Sequence, residues 1–136
     1  MLEKIVKWLQ SFPGWEDSIR IDCVDARPGS AGLYPKGFRE ISRREDVLGN
    51  LQVSFRFDVL LRKNAESSEE NAKWLLEFQN WVAEQDRLGL APKFGDDPKR
   101  ERIRASEGQL LSLSQVGSAL YTVKLWAEFT KNYKGE

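Results

Sequence analysis

The sequence predicts an α+β fold, a mostly antiparallel sheet packed against two helices. Two long alternating runs are the first observation. Leu51, Val53, Phe55, Phe57, Val59 and Leu61 alternate with Gln52, Ser54, Arg56, Asp58, Leu60 and Arg62. Near the end, Ala119, Tyr121, Val123, Leu125, Ala127 and Phe129 alternate with Leu120, Thr122, Lys124, Trp126, Glu128 and Thr130. A period of two is that of a strand with one buried face. The second observation is a pair of stretches, at the start and between these strands, whose apolar residues recur at helical spacing. The third is the shortness of the turns between successive strands, which favours antiparallel pairing and hence helices laid on one sheet.

The chain opens on an amphipathic helix. Leu2, Ile5, Val6, Leu9 and Phe12 form its stripe, and Pro13-Gly14 stops it. Trp8 and Trp15 stand at the edges of this unit as packing anchors. In residues 18–24, Ile19, Ile21 and Cys23 alternate with Ser18, Arg20 and Asp22, which predicts a strand with all three on the covered face and Cys23 as a buried, unreactive thiol. Residues 26–37 hold three Gly and two Pro in twelve positions and read as a loop. Residues 38–46 read as a strand or an edge segment, and Gly49-Asn50 as a tight turn before the best strand of the chain.

A second helix is expected from Ser67 or Ser68. Ser67-Ser68-Glu69-Glu70 fits a capping box. Trp74, Leu75, Phe78, Trp81, Val82 and Gln85 then share one face, and Lys73, Glu77 and Glu84 take the other. Leu88-Gly89, with Pro92 soon after, ends it. Residues 89–102 form a long polar connection in which Phe94 stands alone among charges. A closing hairpin follows, with Leu111 and Leu113 on one side of its first strand, a turn at Val116-Gly117-Ser118, and a frayed tail over residues 131–136. No repeat, low-complexity tract or linker divides the chain, so residues 1–136 read as one domain.

Composition removes whole classes of chemistry. The 136 residues carry 21 Lys plus Arg against 21 Asp plus Glu, one Cys and no His. Without His there is no Ser-His-Asp or Cys-His catalysis and no His-ligated metal. One Cys forms no intrachain disulfide, no Cys-x-x-Cys redox pair and no thiolate zinc site. The longest apolar runs are three or four residues, against the ~20 that span a bilayer, so no membrane role is expected. Glu3, Lys4 and Lys7 break up the first ten residues, which lack the apolar core of a signal peptide. Zero net charge gives no general attraction to nucleic acid. Asp96-Asp97, between Gly95 and Pro98, reads as a turn. No calcium loop, phosphate loop, S-x-x-K or G-x-S-x-G occurs. No catalytic residue, metal or cofactor is therefore expected.

The charges are segregated. Residues 27–44 hold five bases and one acid, residues 66–86 six acids and one Lys, and residues 87–104 six bases and three acids. Segregation of this kind suits solvated faces. It also suits a protein whose basic side meets a neighbour's acidic side, a heterologous contact that closes into a ring when the rotation permits.

One stretch carries a resemblance. The run Trp74-Leu75-Leu76-Glu77-Phe78-Gln79-Asn80-Trp81-Val82, then Gln85, then Gly89-Leu90-Ala91-Pro92-Lys93-Phe94-Gly95-Asp96, resembles the tail terminator and minor capsid proteins of tailed phages and prophages of Gram-positive hosts. The Phe55-Arg56-Phe57 strand, Glu107-Gly108 and Tyr121-Thr122-Val123-Lys124-Leu125 fit the same family. The resemblance follows the order of elements along nearly the whole chain, and it is a pattern of packing and turns rather than a catalytic signature. It implies an α+β subunit in a ring, commonly a hexamer, at the head-proximal end of the tail. That ring would stop tail-tube polymerisation and offer a surface to the head connector. The implied partners are further copies of the chain, the major tail-tube protein and the head–tail connector. The implied place is the virion, reached from the host cytoplasm.

In that reading the loops Arg27–Gly37 and Gly89–Arg104 are contact segments. Charge and loop position single out Arg27, Tyr34, Lys36, Arg39, Arg43, Arg44, Lys93, Phe94, Lys99, Arg100 and Arg102 as candidate subunit-interface residues. Reversing Arg100 and Arg102 to Glu is expected to block assembly and to leave thermal stability nearly unchanged. The alternative reading is a small soluble binding domain or an enzyme with an unrecognised carboxylate site.

Overall fold

The structure is a computed structural model, and it describes residues 2–15, 19–22, 24, 28–42, 50–95, 101–106, 108–113 and 117–132. Helix α1 (Leu2–Gln10) leads into strand β1 (Ile19–Ile21), β2 (Ala31–Ser42) and β3 (Asn50–Asn64). Helix α2 (Ser68–Arg87) follows, then β4 (Arg102–Ala105), β5 (Gln109–Leu113) and β6 (Ser118–Asn132). The expected α+β class, a mostly antiparallel sheet with two helices, is what this order builds.

The two alternating runs form the centre of the sheet. β3 and β6 pair antiparallel along their full length, from Asn50 opposite Asn132 to Asn64 opposite Ser118. Their inward residues Phe55, Phe57, Val59, Val123, Leu125 and Phe129 are all buried. The order across the sheet is β1-β2-β3-β6-β4, with β5 also on β6. β1 lies parallel to β2; the other pairings are antiparallel. β4 and β5 lie end to end along one edge of β6, opposite residues 125–128 and 119–122. Between them Ser106 keeps the ladder satisfied. Its N–H donates to the Lys124 carbonyl (2.8 Å), and its Oγ accepts from the Lys124 N–H (3.0 Å).

Both helices cover one face of this sheet, and aromatic side chains join them. Trp8 lies on Trp81 with ring centroids 4.8 Å apart. Phe12 presents edges to Phe78 (5.3 Å) and Trp74 (5.5 Å), and Trp15 meets Trp74 at 5.1 Å. Three of the indole N–H groups have partners. Trp8 donates to Gln85 Oε1 (3.1 Å), Trp74 to the Gly14 carbonyl (2.8 Å) and Trp15 to the Leu9 carbonyl (2.6 Å). The last of these adds a second donor to a carbonyl that already accepts the Phe12 N–H (3.0 Å) just past the end of α1. Gly14 is required by this packing, since a Cβ there would lie 2.4 Å from the Phe12 ring.

The structure corrects several sequence expectations. β1 is three residues long. Ile19 is buried, but Ile21 is 44% exposed, and Asp22 takes φ 55, a left-handed turn that Asp tolerates. Ser18 and Cys23 lie outside the described residues. Residues 31–37 belong to β2 rather than to a loop. Ala31 and Leu33 are buried between β1 and β3, so sheet pairing overrides the Gly and Pro signal. Pro35 lies beyond the end of β1, where a missing N–H leaves no ladder bond unmade. Lys36 is the extra residue of a bulge between Pro35 and Gly37. Residues 43–49 lie outside the described residues, Gly49 of the expected turn among them.

The capping box does not form. Ser67 is the N-cap, at φ −100 and ψ 43, and its side chain makes no cap hydrogen bond. That ψ does not aim the hydroxyl at the helix N–H groups as an extended cap does. Asn64 and Asn71 hold the turn instead. Asn64 Oδ1 accepts the Glu66 N–H (3.0 Å), and Asn71 Nδ2 donates to the Asn64 carbonyl (2.8 Å). The other end of α2 follows expectation. Gly89 takes φ 71, its N–H reaches the Asp86 carbonyl, and the Leu90 N–H reaches the Gln85 carbonyl (2.9 Å).

β4 is a strand where a loop was expected, and the register shift between Leu110 and Ser112 breaks the alternation expected of β5. Val116 lies outside the described residues, and β6 runs on to Asn132, past the expected start of the tail.

Candidate assembly surface

The sheet has a second face that no described helix covers. It carries the even-numbered residues of β3 and β6, with their partners on the flanking strands. Arg56 faces Trp126 across the pair, Asp58 faces Lys124, and Tyr34 faces Asp58 from β2. Arg104 of β4 faces Trp126. Asp58 is 8% exposed and sits between two bases, Arg56 Nε at 3.6 Å and Lys36 Nζ at 4.0 Å. Arg104 Nε lies 3.8 Å from Glu128. At those distances the groups attract without good hydrogen bonds. Arg56 Nε, Asp58 Oδ1, Thr122 Oγ1 and Thr130 Oγ1 are buried from solvent and have no hydrogen-bond partner among the described residues. All four belong to this face by register, and buried polar atoms without partners are uncommon in a finished interior.

The expected interface residues scatter. Tyr34 and Lys36 lie on this face, Tyr34 half-buried and Lys36 exposed. Arg39 is placed by register only, opposite Ser54. Lys93 lies at the end of α2, where its Nζ donates to the Gly89 carbonyl (2.9 Å). Phe94 is a core residue, 9% exposed, with its ring edge on Phe129 at 5.8 Å. Its charged neighbours in sequence suggested a surface position, but the segment folds inward there. Arg102 is committed within the chain to Asp86 on α2. Arg27, Arg43, Arg44, Lys99 and Arg100 lie outside the described residues. Sequence reasoning missed Arg56, Asp58, Arg104, Lys124 and Trp126 as one surface. Their signal was the polar half of each alternation, which means little until the register brings the two halves together.

Asp86 joins helix to sheet edge. Its carboxylate accepts from Arg102 and also from the Ile103 N–H (2.9 Å), so the helix satisfies an edge-strand donor. The Arg102 hydrogen bonds hold this carboxyl below its ordinary value against the opposing effect of burial, with the Ile103 N–H adding to the lowering.

Four surface clefts bear on small-molecule binding. One, of about 420 Å³, lies at the start of α2 and is lined by Lys63, Asn64, Ser67, Glu70, Asn71 and Trp74 among others, with Glu70 its one acid among the described lining residues. Another, of about 520 Å³, lies between α1 and β1 beside Val6 and Ile21. The third, of about 350 Å³, lies along α2 beside Leu76 and Gly108. A fourth, of about 380 Å³, lies over the first turn of α2 and brings Glu66, Glu69 and Glu70 together, all three exposed; none of the other three pairs two carboxylates among the described residues. Among the described residues no group of three His, Cys, Asp or Glu is placed to hold a metal ion, and no helix is long and apolar enough to cross a membrane.

No family model matches the chain, and a search of curated proteins finds no match either.

Proposed function

We propose that the chain is a tail terminator of a tailed phage or prophage, a structural subunit without catalysis that assembles into a ring. The ring caps the tail tube at its head-proximal end and meets the head connector. The observation that carries the reading is the second face of the sheet. It combines segregated charge, half-buried Tyr34 and Trp126, and buried polar atoms that lack partners among the described residues. Such a face suits contact with another protein surface better than it suits bulk water. The resemblance of residues 74–96 to tail terminators supplies the kind of assembly. Among the described clefts only one brings carboxylates together, those of Glu66, Glu69 and Glu70, and all three are exposed to solvent.

Deletion of the coding sequence from its phage, followed by electron microscopy of the lysate, tests the role. A terminator's loss leaves tubes of uncontrolled length that carry no heads. Tails of normal length joined to heads would refute the role.

A further inference from the structure

We infer that the ring contact is heterologous and runs between two particular faces: the outer face of α2 on one copy lies against the second face of the sheet on the next. This deepens the ring reading and rests on it. The two faces are complementary in charge. On the sheet side register places the bases Arg20, Arg39, Arg56, Arg62, Arg104 and Lys124, with Lys36 beside Asp58 and with Arg102 turned to Asp86, against the acids Asp58 and Glu128, among the described residues. On α2 the exposed acids are Glu69, Glu70, Glu77 and Glu84, with Glu66 in the turn before, and the exposed bases are Lys73 and Arg87.

Their local pairing sharpens the match. Lys73 lies 4.0 Å from Glu77, and Arg87 pairs with Glu84. The acid in excess is thus concentrated in Glu66, Glu69 and Glu70, whose carboxylates have no ion pair among the described residues. On the sheet the base in excess surrounds Trp126 and the Arg56–Asp58 pair. The helix also presents an apolar residue at the middle of the face, since Leu76 is 61% exposed. Leu76 against half-buried Trp126 and Leu60 supplies an apolar centre inside a charged rim, the usual anatomy of a specific interface.

The two faces lie on opposite sides of one subunit, since α2 itself packs on the inner face of the sheet. A contact between them cannot be two-fold symmetric. It is head-to-tail, and a head-to-tail contact closes into a ring when the rotation between neighbours permits.

A mixing experiment with full-length chains tests this. One variant carries Glu69→Lys and Glu77→Lys on the helix face. The other carries Lys36→Glu and Arg104→Glu on the sheet face. Thermal melts confirm that each folds, and milder Gln versions of the same four changes are made alongside. Masses are read by sedimentation at a concentration where the unaltered chain associates, with tail-tube protein added if it is needed. Self-association of each variant is expected to weaken roughly tenfold or more. An equimolar mixture of the Gln versions is expected to yield a species of two chains, because one intact helix face meets one intact sheet face and the altered faces gain no opposite charges. Unaltered association of either variant, or a mixture that stays monomeric, overturns the face assignment and leaves the ring reading standing. An unaltered chain that remains monomeric even with tube protein overturns the ring reading, and the contact with it.

Discussion

Arg102 grips Asp86 through both carboxylate oxygens: Nε lies 2.9 Å from Oδ1, and Nη2 lies 2.7 Å from Oδ2. This fork ties the C-terminal turn of α2 to the first residue of β4. A two-point hydrogen bond of this kind fixes orientation as well as distance. Arg102 is therefore a structural residue of the subunit, and its reversal is not neutral for stability as the sequence alone suggested. Arg102→Gln is expected to cost about 1 kcal/mol, a modest figure because the Arg102 side chain stays half-exposed and water screens the pair. That corresponds to a fall in melting temperature of about 4 °C. Arg102→Glu should cost more, since it sets two carboxylates against each other. Calorimetry on the three chains checks the order.

The same pair sets a pH dependence. The Asp86 carboxyl titrates below its ordinary value in the folded chain. In the window between the two values the unfolded chain binds the extra proton, so stability rises with pH there. The pair's contribution is fully present above about pH 4 and is lost as pH falls through the folded value. The gap in stability between the unaltered chain and Arg102→Gln should hold steady from pH 7 to pH 5 and shrink below pH 4. Urea titrations across that range measure it.

The turn into α2 makes opposite predictions for two neighbouring polar residues. Ser67 occupies the cap position without capping, so Ser67→Ala should cost only a few tenths of a kcal/mol rather than the ~1 usual for an N-cap. Asn71 is 4% exposed and donates to the Asn64 carbonyl. Asn71→Ala removes that bond and should cost about 1–3 kcal/mol. Equal effects of the two in urea denaturation would contradict the described turn.

The aromatic layer between the helices carries much of the packing energy. Phe78 is fully buried and touches Phe12, Trp15, Trp74 and Trp81. Phe78→Ala should cost about 3–5 kcal/mol through lost transfer energy and the cavity left behind. Gly14→Ala should cost about 1–3 kcal/mol for the opposite reason, since its Cβ would drive the Phe12 ring and the Trp74 indole aside. Tryptophan emission followed during unfolding reports on both.

Periodicity made the centre of the fold legible. The alternations of β3 and β6 and the stripe of α2 report their own burial, because each element is long and packs on one side. Short or edge elements were harder. β2 looked like a loop because its Gly and Pro residues speak for turns, while its strand state depends on β1 and β3, which are distant in sequence. β4 is four residues long and exists because β6 has an edge to fill. Phe94 shows the limit for sites. Its neighbours in sequence are charged, its neighbours in space are apolar, and only the second set decides where it sits. The sheet face that carries the proposed contact has the same character: Asp58 and Lys124 are 66 positions apart and become neighbours through register alone.

The ring is the central claim, and the mass of the native assembly tests it most directly. Light scattering on the purified full-length chain, alone at high concentration and again after addition of tail-tube protein, should give a discrete species whose mass is a whole multiple of one chain, commonly six. A single-chain mass under both conditions would contradict the account.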